Sequence, residues 1–165
     1  METLVLSHKQ IEQKINRIAH QILENFFDEE TIYLAGITGQ GDAIAQRILK
    51  VLQSNSNQNF VHFTLTVNKE NPFNQEVESS IDTELLKDTC VILVDDVVNS
   101  GKTMQYALVK LLEKPTKTIK TVALVDRRHR RYPIKCDFVG LTLSTTLQER
   151  VEVVEENKEL KAYLV

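Results

Sequence analysis

The run Val91-Ile-Leu-Val-Asp-Asp-Val-Val-Asn-Ser-Gly-Lys-Thr103 constrains the fold of this chain more than any other stretch. Four apolar, mostly β-branched residues, bounded by polar Thr89 and by two carboxylates, read as a short buried strand ending at Asp95. Beyond it the period changes, because Met104, Ala107, Leu108, Leu111 and Leu112 fall on one helical face. Asp96 to Lys102 is therefore expected to be a strand-to-helix loop, the place where open α/β sheets keep their ligand sites.

That loop has the parts needed to hold an anion. Asn99, Ser100 and Gly101 are small or flexible, so the backbone can turn tightly and aim several N–H groups at one phosphate. The positive end of the following helix adds to the attraction. Asp95 and Asp96 lie just before it, and successive strand side chains point to opposite faces, so only one faces a ligand squarely unless the chain turns at once. Carboxylates there accept hydrogen bonds from sugar hydroxyls and oppose a developing positive charge.

Other readings compete. Gly101-Lys102-Thr103 matches the end of a phosphate-binding P-loop, but that motif needs Gly where this chain has Asp96. Phospho-accepting receiver domains also end a strand with an acidic pair, near the start of the domain, whereas most of this chain precedes the pair. A solvated loop with a chance acidic pair leaves the joint pattern unexplained: hydrophobic strand, two Asp, two apolar residues, Asn-Ser-Gly-x-Thr and an amphipathic helix.

This joint pattern resembles the signature of type I phosphoribosyltransferases, which bind phosphoribosyl pyrophosphate (PRPP). Within them the chain resembles the pyrimidine-operon attenuator/uracil phosphoribosyltransferase family. The likeness rests on Asn16-Arg-Ile-Ala-His20, Ala35-Gly-Ile37, the central signature, Ala123-Leu-Val-Asp-Arg-Arg-His-Arg-Arg-Tyr-Pro-Ile134 and Asp137-Phe-Val-Gly140, and so spans nearly the whole chain. It implies transfer of phosphoribose from PRPP to a nucleobase, a pyrimidine such as uracil, with release of pyrophosphate and help from Mg²⁺. Asp95 and Asp96 would be catalytic, and Val98, Asn99, Ser100, Gly101, Lys102 and Thr103 would cradle the 5′-phosphate. Thr38 and Gly39 would lie at the pyrophosphate, Phe138 would stack on the base, and Val139 would lie beside it. The resemblance also implies a homodimer or higher homo-oligomer. Two alternatives come with it: an RNA-binding regulator of pyrimidine genes that senses nucleotides in the same pocket, and a PRPP-binding protein without activity. For RNA, the candidate residues are Arg17, His20, Arg130 and Arg131.

Composition sets bounds on all of this. A length of 165 residues fits one domain, and 42% hydrophobic with 26% charged residues reads as globular rather than disordered. No apolar run approaches the roughly 20 residues of a membrane span, and Met1 to Ser7 lacks the basic start and apolar core of a signal peptide. A cytoplasmic protein is expected. The net charge of −3 argues against indiscriminate nucleic-acid binding, though not against a local basic patch. Cys90 and Cys136 lack metal-site spacing and read as small, mostly buried residues.

Along the chain, Ser7 to Gln10 fits a capping box ahead of a helix running to about Phe27, with Ile11, Ile15, Ile18, Ala19, Ile22 and Phe26 on one face. Arg17 and His20 lie on its other face, which reads as a solvated surface that the resemblance raises above background. Thr31 to Ile37 reads as a buried strand, Thr38-Gly-Gln-Gly41 as a break, and Asp42 as the cap of a second helix. Gln53 to Asn59 reads as a polar linker and Phe60 to Val67 as a strand. Asn68 to Asp88 offers few periodic apolar residues; a loop that long is usually functional or disordered. Relatives carry Tyr-Arg-Asp-Asp after this strand, and here Thr66 and Val67 stand for the first two. Lys69 is the nearest cation, either a substitute for the Arg or plain surface charge.

Thr118 to Val125 reads as another buried strand, followed by the dense basic run Arg127-Arg-His-Arg-Arg131, which is either an exposed loop or an anion site. The tail reads as a closing hairpin. Repeated strand-loop-helix units imply an α/β fold, a mostly parallel central sheet with helices on both faces, as a single domain over residues 1–165. The resemblance adds a small hood built from the termini and the long loop.

Overall fold

The computed structural model describes residues 2–146 and 148–165. Strand β1 (Thr3–Leu6) leads into helix α1 (His8–Asn25), followed by β2 (Thr31–Ile37), α2 (Gln40–Asn55), β3 (Asn59–Thr66) and β4 (Glu78–Ser79). A short 3₁₀ turn (Thr83–Leu86) precedes β5 (Cys90–Val98), α3 (Lys102–Leu111), β6 (Thr118–Asp126), β7 (Phe138–Thr142) and the hairpin β8 (Val151–Glu156) and β9 (Glu159–Leu164). The main sheet runs β4-β3-β2-β5-β6-β7, and all its neighbours pair in parallel except the edge strand β4.

The first helix starts where its sequence says it should. The Ser7 hydroxyl accepts from the Gln10 N–H at 3.2 Å, and the Gln10 side chain accepts from the Ser7 N–H at 2.9 Å. Ile11, Ile15, Ile18, Ala19 and Ile22 then bury one stripe of α1. They share a core with Ile44, Ala45, Ile48 and Leu52 of α2, one face of the main sheet, and the inner residues Leu6, Val151, Val153, Leu160 and Ala162 of a second sheet. That sheet, ordered β1-β9-β8, is the hood. Arg47 fastens it, donating to Lys158 O at 2.8 Å and pairing with Glu155 at 3.5 Å and with Glu12 of α1 at 2.9 Å. On the opposite face, Met104, Ala107 and Leu111 of α3 pack with Val91, Leu93, Phe63 and Ala123 in a separate core.

Several expectations need correction. The central strand does not stop at Asp95 but continues to Val98, because β6 beside it supplies partners as far as the pair Val98 and Asp126. The expected linker shrinks to residues 56–58, because Gln53 to Asn55 finish α2 and Asn59 starts β3. The long loop adds β4 to the edge of the main sheet, and only the chain termini build the hood. Gly39, at φ 97°, is the N-cap of α2, and Asp42 sits within its first turn. First-helix residues end at Asn25, two short of Phe27.

The chain passes from β2 through α2 to β3 on one side, and from β5 through α3 to β6 on the other. Strands β2 and β5 are neighbours, so the connections leaving their C-terminal ends diverge and open a crevice between them. Every loop discussed below projects from that end of the sheet.

Candidate active site

Asp95 lies at the floor of this crevice, 2% exposed. Its Oδ1 accepts from the Asp96 N–H at 2.9 Å and lies 3.4 Å from Lys69 Nζ. The first turn of α2 presses on it: a methyl group added to Gly41 would sit 2.7 Å from Asp95 Oδ1. Asp96 is more open, accepting from the Val97 N–H at 2.7 Å and lying 3.8 Å from Lys69 Nζ. Burial first, and then the neighbouring Asp96, push the Asp95 carboxyl up to about 8, while Lys69 works against both. Burial and Asp96 thus favour the protonated carboxyl, whereas Lys69 favours the carboxylate. Partial burial works against the Lys69 charge, but the two carboxylates more than offset it and hold the ammonium above its usual range.

Residues 97–104 line a small cavity of about 60 Å³ directly beyond Asp95. Its geometry comes from the basic segment. The Val98 carbonyl accepts from the Arg127 N–H at 3.0 Å, and Ser100 O accepts from the Arg131 and Tyr132 N–H groups at 2.9 and 3.0 Å. The Asn99 carbonyl between them accepts from Arg130 Nη1 at 2.9 Å. In a trans peptide the C=O and N–H point opposite ways, and no peptide among the described residues is cis. With three successive carbonyls held by the 127–132 segment, the N–H groups of Asn99, Ser100 and Gly101 point the other way, toward the cavity. Gly101 closes the turn at φ 85°, where an added methyl would stand 2.2 Å from Ile134 Cγ2. The Ser100 hydroxyl accepts from the Lys102 N–H at 3.2 Å, and α3 begins there with its positive end at the cavity.

Arg127 is buried, 5% exposed, and its guanidinium is shared among elements. It donates to Asn99 Oδ1 at 2.8 Å, Thr145 Oγ1 at 2.9 Å, Thr146 O at 3.0 Å and the Glu149 carbonyl. Arg130 pairs with Asp126 at 3.0 Å and donates to Ile134 O at 3.1 Å. The dense charge of this run is thus divided, with Arg127 and Arg130 bracing the cavity loop and Arg128 and Arg131 exposed. Composition could not separate these roles. The available signal was position, since Arg127 directly follows the C-terminal end of a buried strand.

The other candidate residues fall as follows. Thr38 donates its N–H to Leu65 O at 2.9 Å, tying the α2 loop to β3, and Gly39 is exposed with open space where a side chain would go. A pair the sequence did not suggest sits below them: His62 Nε2 lies 2.6 Å from Asp42 Oδ1. Phe138 is not a platform in this conformation. Its ring is 7% exposed and packs in the core shared with α1, because β7 turns that face inward. The Val139 and Gly140 carbonyls accept from Arg17 Nη2 at 3.0 and 2.8 Å, so Arg17 ties α1 to the edge strand while remaining exposed. His20, one turn along, is exposed.

No group of three or more His, Cys, Asp or Glu side chains able to hold a metal occurs among the described residues. The acidic pair offers two carboxylates, a donor set that suits a hard cation completing its shell with water and ligand phosphates. No described helix is long and apolar enough to cross a membrane.

The chain is similar to known proteins in both sequence and fold. A phosphoribosyl transferase domain matches residues 3–159. A bifunctional protein PyrR from Haemophilus ducreyi is 34% identical over 167 aligned residues, covering 95% of this chain and 92% of that protein. The PyrR of Staphylococcus aureus is 32% identical, covering 99% and 98%. Among solved structures, a hypoxanthine-guanine phosphoribosyltransferase from Bacillus anthracis superposes with a TM-score of 0.77 at 17% identity, covering 98% of this chain and 97% of that one. The hypoxanthine phosphoribosyltransferase of Trypanosoma cruzi gives the same TM-score and identity, covering 97% and 95%.

Proposed function

The chain belongs to the phosphoribosyl transferase domain family, and from that premise we propose that residues 1–165 act as one domain that transfers phosphoribose from PRPP to a pyrimidine, uracil first. The reaction breaks the bond from the anomeric carbon to pyrophosphate and forms a bond from that carbon to a ring nitrogen, whose proton is lost. Positioning and electrostatics carry such chemistry, so it needs no nucleophilic side chain.

The observation that carries the reading is the cavity at 97–104 beside the acidic pair. The N–H groups of Asn99, Ser100 and Gly101, with the hydroxyls of Ser100 and Thr103, would hold the 5′-phosphate. Ribose hydroxyls would then lie over Asp95 and Asp96, which oppose positive charge at the anomeric carbon. The pyrophosphate would extend toward Thr38 and Gly39 across the crevice. The acidic pair would help hold Mg²⁺, whose positive charge would neutralise the departing pyrophosphate. The base would lie at the C-terminal ends of β6 and β7 without stacking on Phe138.

The test is pyrophosphate release from Mg²⁺–PRPP with uracil, hypoxanthine, guanine and adenine offered separately. Turnover with uracil alone supports the proposal, and turnover with a purine alone refutes the pyrimidine assignment. Silence with all four refutes the transferase reading and leaves a binding role.

The exposed basic side chains around the cavity loop favour a second reading alongside the first, RNA binding. The surface for it would draw on exposed Arg17, His20, Arg128 and Arg131, since Arg130 is paired with Asp126. Salt-sensitive RNA binding that falls when Arg131 becomes Ala, with PRPP affinity unchanged, is the expected result. A homodimer is proposed as the assembly and is read by light scattering.

A further inference from the structure

The segment between β3 and β4 is closed at its base. Leu65 and Thr66 pair with Ser79 and Glu78, and Val67 and Val77 are each 7% exposed in the core under α3. Between these anchors the Asn68 side chain accepts from the Glu70 and Asn71 N–H groups at 3.2 and 3.1 Å. This turn sends Lys69 back over the crevice, where its Nζ meets Asp95 Oδ1 at 3.4 Å and Asp96 Oδ1 at 3.8 Å. A loop residue 26 positions away in sequence thus seats a cation on both members of the acidic pair.

We propose that Lys69 is the resident counter-cation of the acidic pair, occupying in the ligand-free protein the position a divalent cation would take. This rests on the reading of Asp95 and Asp96 as the ribose and metal end of the site. Two cations cannot share these oxygens at such distances without strong repulsion. A free divalent ion must therefore displace the ammonium, which the bare carboxylates alone do not favour. A polyanionic substrate changes the balance, because its diphosphate offers the ammonium new oxygens and brings ligands for the metal. Lys69 thereby couples metal entry to substrate entry, and acts as a positioning residue through the two carboxylates.

The test uses Mn²⁺ alone, titrated into the full chain without substrate and read as free ion by electron paramagnetic resonance, so it is independent of turnover. Lys69→Met, which keeps an unbranched side chain one atom shorter and removes the charge, is expected to bind Mn²⁺ on the order of tenfold more tightly than the wild type. Lys69→Arg should bind as weakly as the wild type. The gain should vanish in Lys69→Met combined with Asp96→Asn. Equal affinity of the wild type and Lys69→Met overturns the proposal, as does a gain that survives loss of the Asp96 charge.

Discussion

Replacing Arg127 by Ala tests whether the basic segment is scaffold or surface. The side chain is 5% exposed and donates to four acceptors, on Asn99, Thr145, Thr146 and Glu149. Hydrogen bonds from a charged donor contribute about 1.5–3 kcal/mol each, but bonds sharing one guanidinium also share its desolvation and do not add. Truncation leaves part-buried acceptors without a donor and opens a void, for a net loss of about 3–5 kcal/mol. Against a total stability of about 5–15 kcal/mol, that is a large fraction. Urea denaturation followed by circular dichroism should show the midpoint falling with the slope unchanged. Thermal melting should fall by roughly 6–20 °C for a chain of this size. Arg127→Lys should recover little, because one ammonium cannot span acceptors that a planar fork reaches together. Arg131→Ala, at an exposed position, should stay within about 0.5 kcal/mol of the wild type. A loss below about 1 kcal/mol for Arg127→Ala, or full recovery by Lys, would refute the reasoning.

Asp95 makes stability depend on pH. Its folded value, raised from 3.8 to about 8, means that the native state keeps a proton the unfolded chain releases, so the stability it contributes is complete below about pH 4 and is lost as pH rises to about 8. Asp95→Asn should therefore gain on the wild type through that window in denaturation curves, and pH-independent parity would contradict the burial argument. Gly101→Ala combines a left-handed φ of 85° with a contact 2.2 Å from Ile134 Cγ2; it should cost at least about 1–2 kcal/mol. Stabilisation by added inorganic phosphate, read as a shift in melting temperature, should be lost with it. Asp96→Asn is expected to fold normally and to reduce pyrophosphate release at least about a hundredfold, a loss of about 2.7 kcal/mol in transition-state stabilisation. Normal turnover would remove Asp96 from the chemistry.

Much of this protein is legible in its sequence because the decisive signals are local. Strand, helix and cap are written in periods of two and about four residues and in side chains that reach their own backbone, so α1 begins at its Ser7 cap. The buried run before Asp95, the turn at Asn99 to Gly101 and the helical face after it likewise place the cavity loop at a strand's C-terminal end. Other features depend on which strand lies beside which. Asp95 gave the central strand an apparent end, but β6 alongside extends it to Val98. Phe138 could have faced a ligand or the core, and the packing of α1 against β7 decided for the core. Arg127 and Arg130 differ from Arg128 and Arg131 by nothing in composition; only a loop 28 to 31 residues earlier, brought alongside by the parallel pairing of β5 and β6, gives the first two their partners. Lys69 reaches the acidic pair in the same way, across the β2 and β5 switch point. Local sequence set the elements and the chemistry at their ends, whereas burial and charge pairing came from contacts between distant residues, which no local pattern encodes.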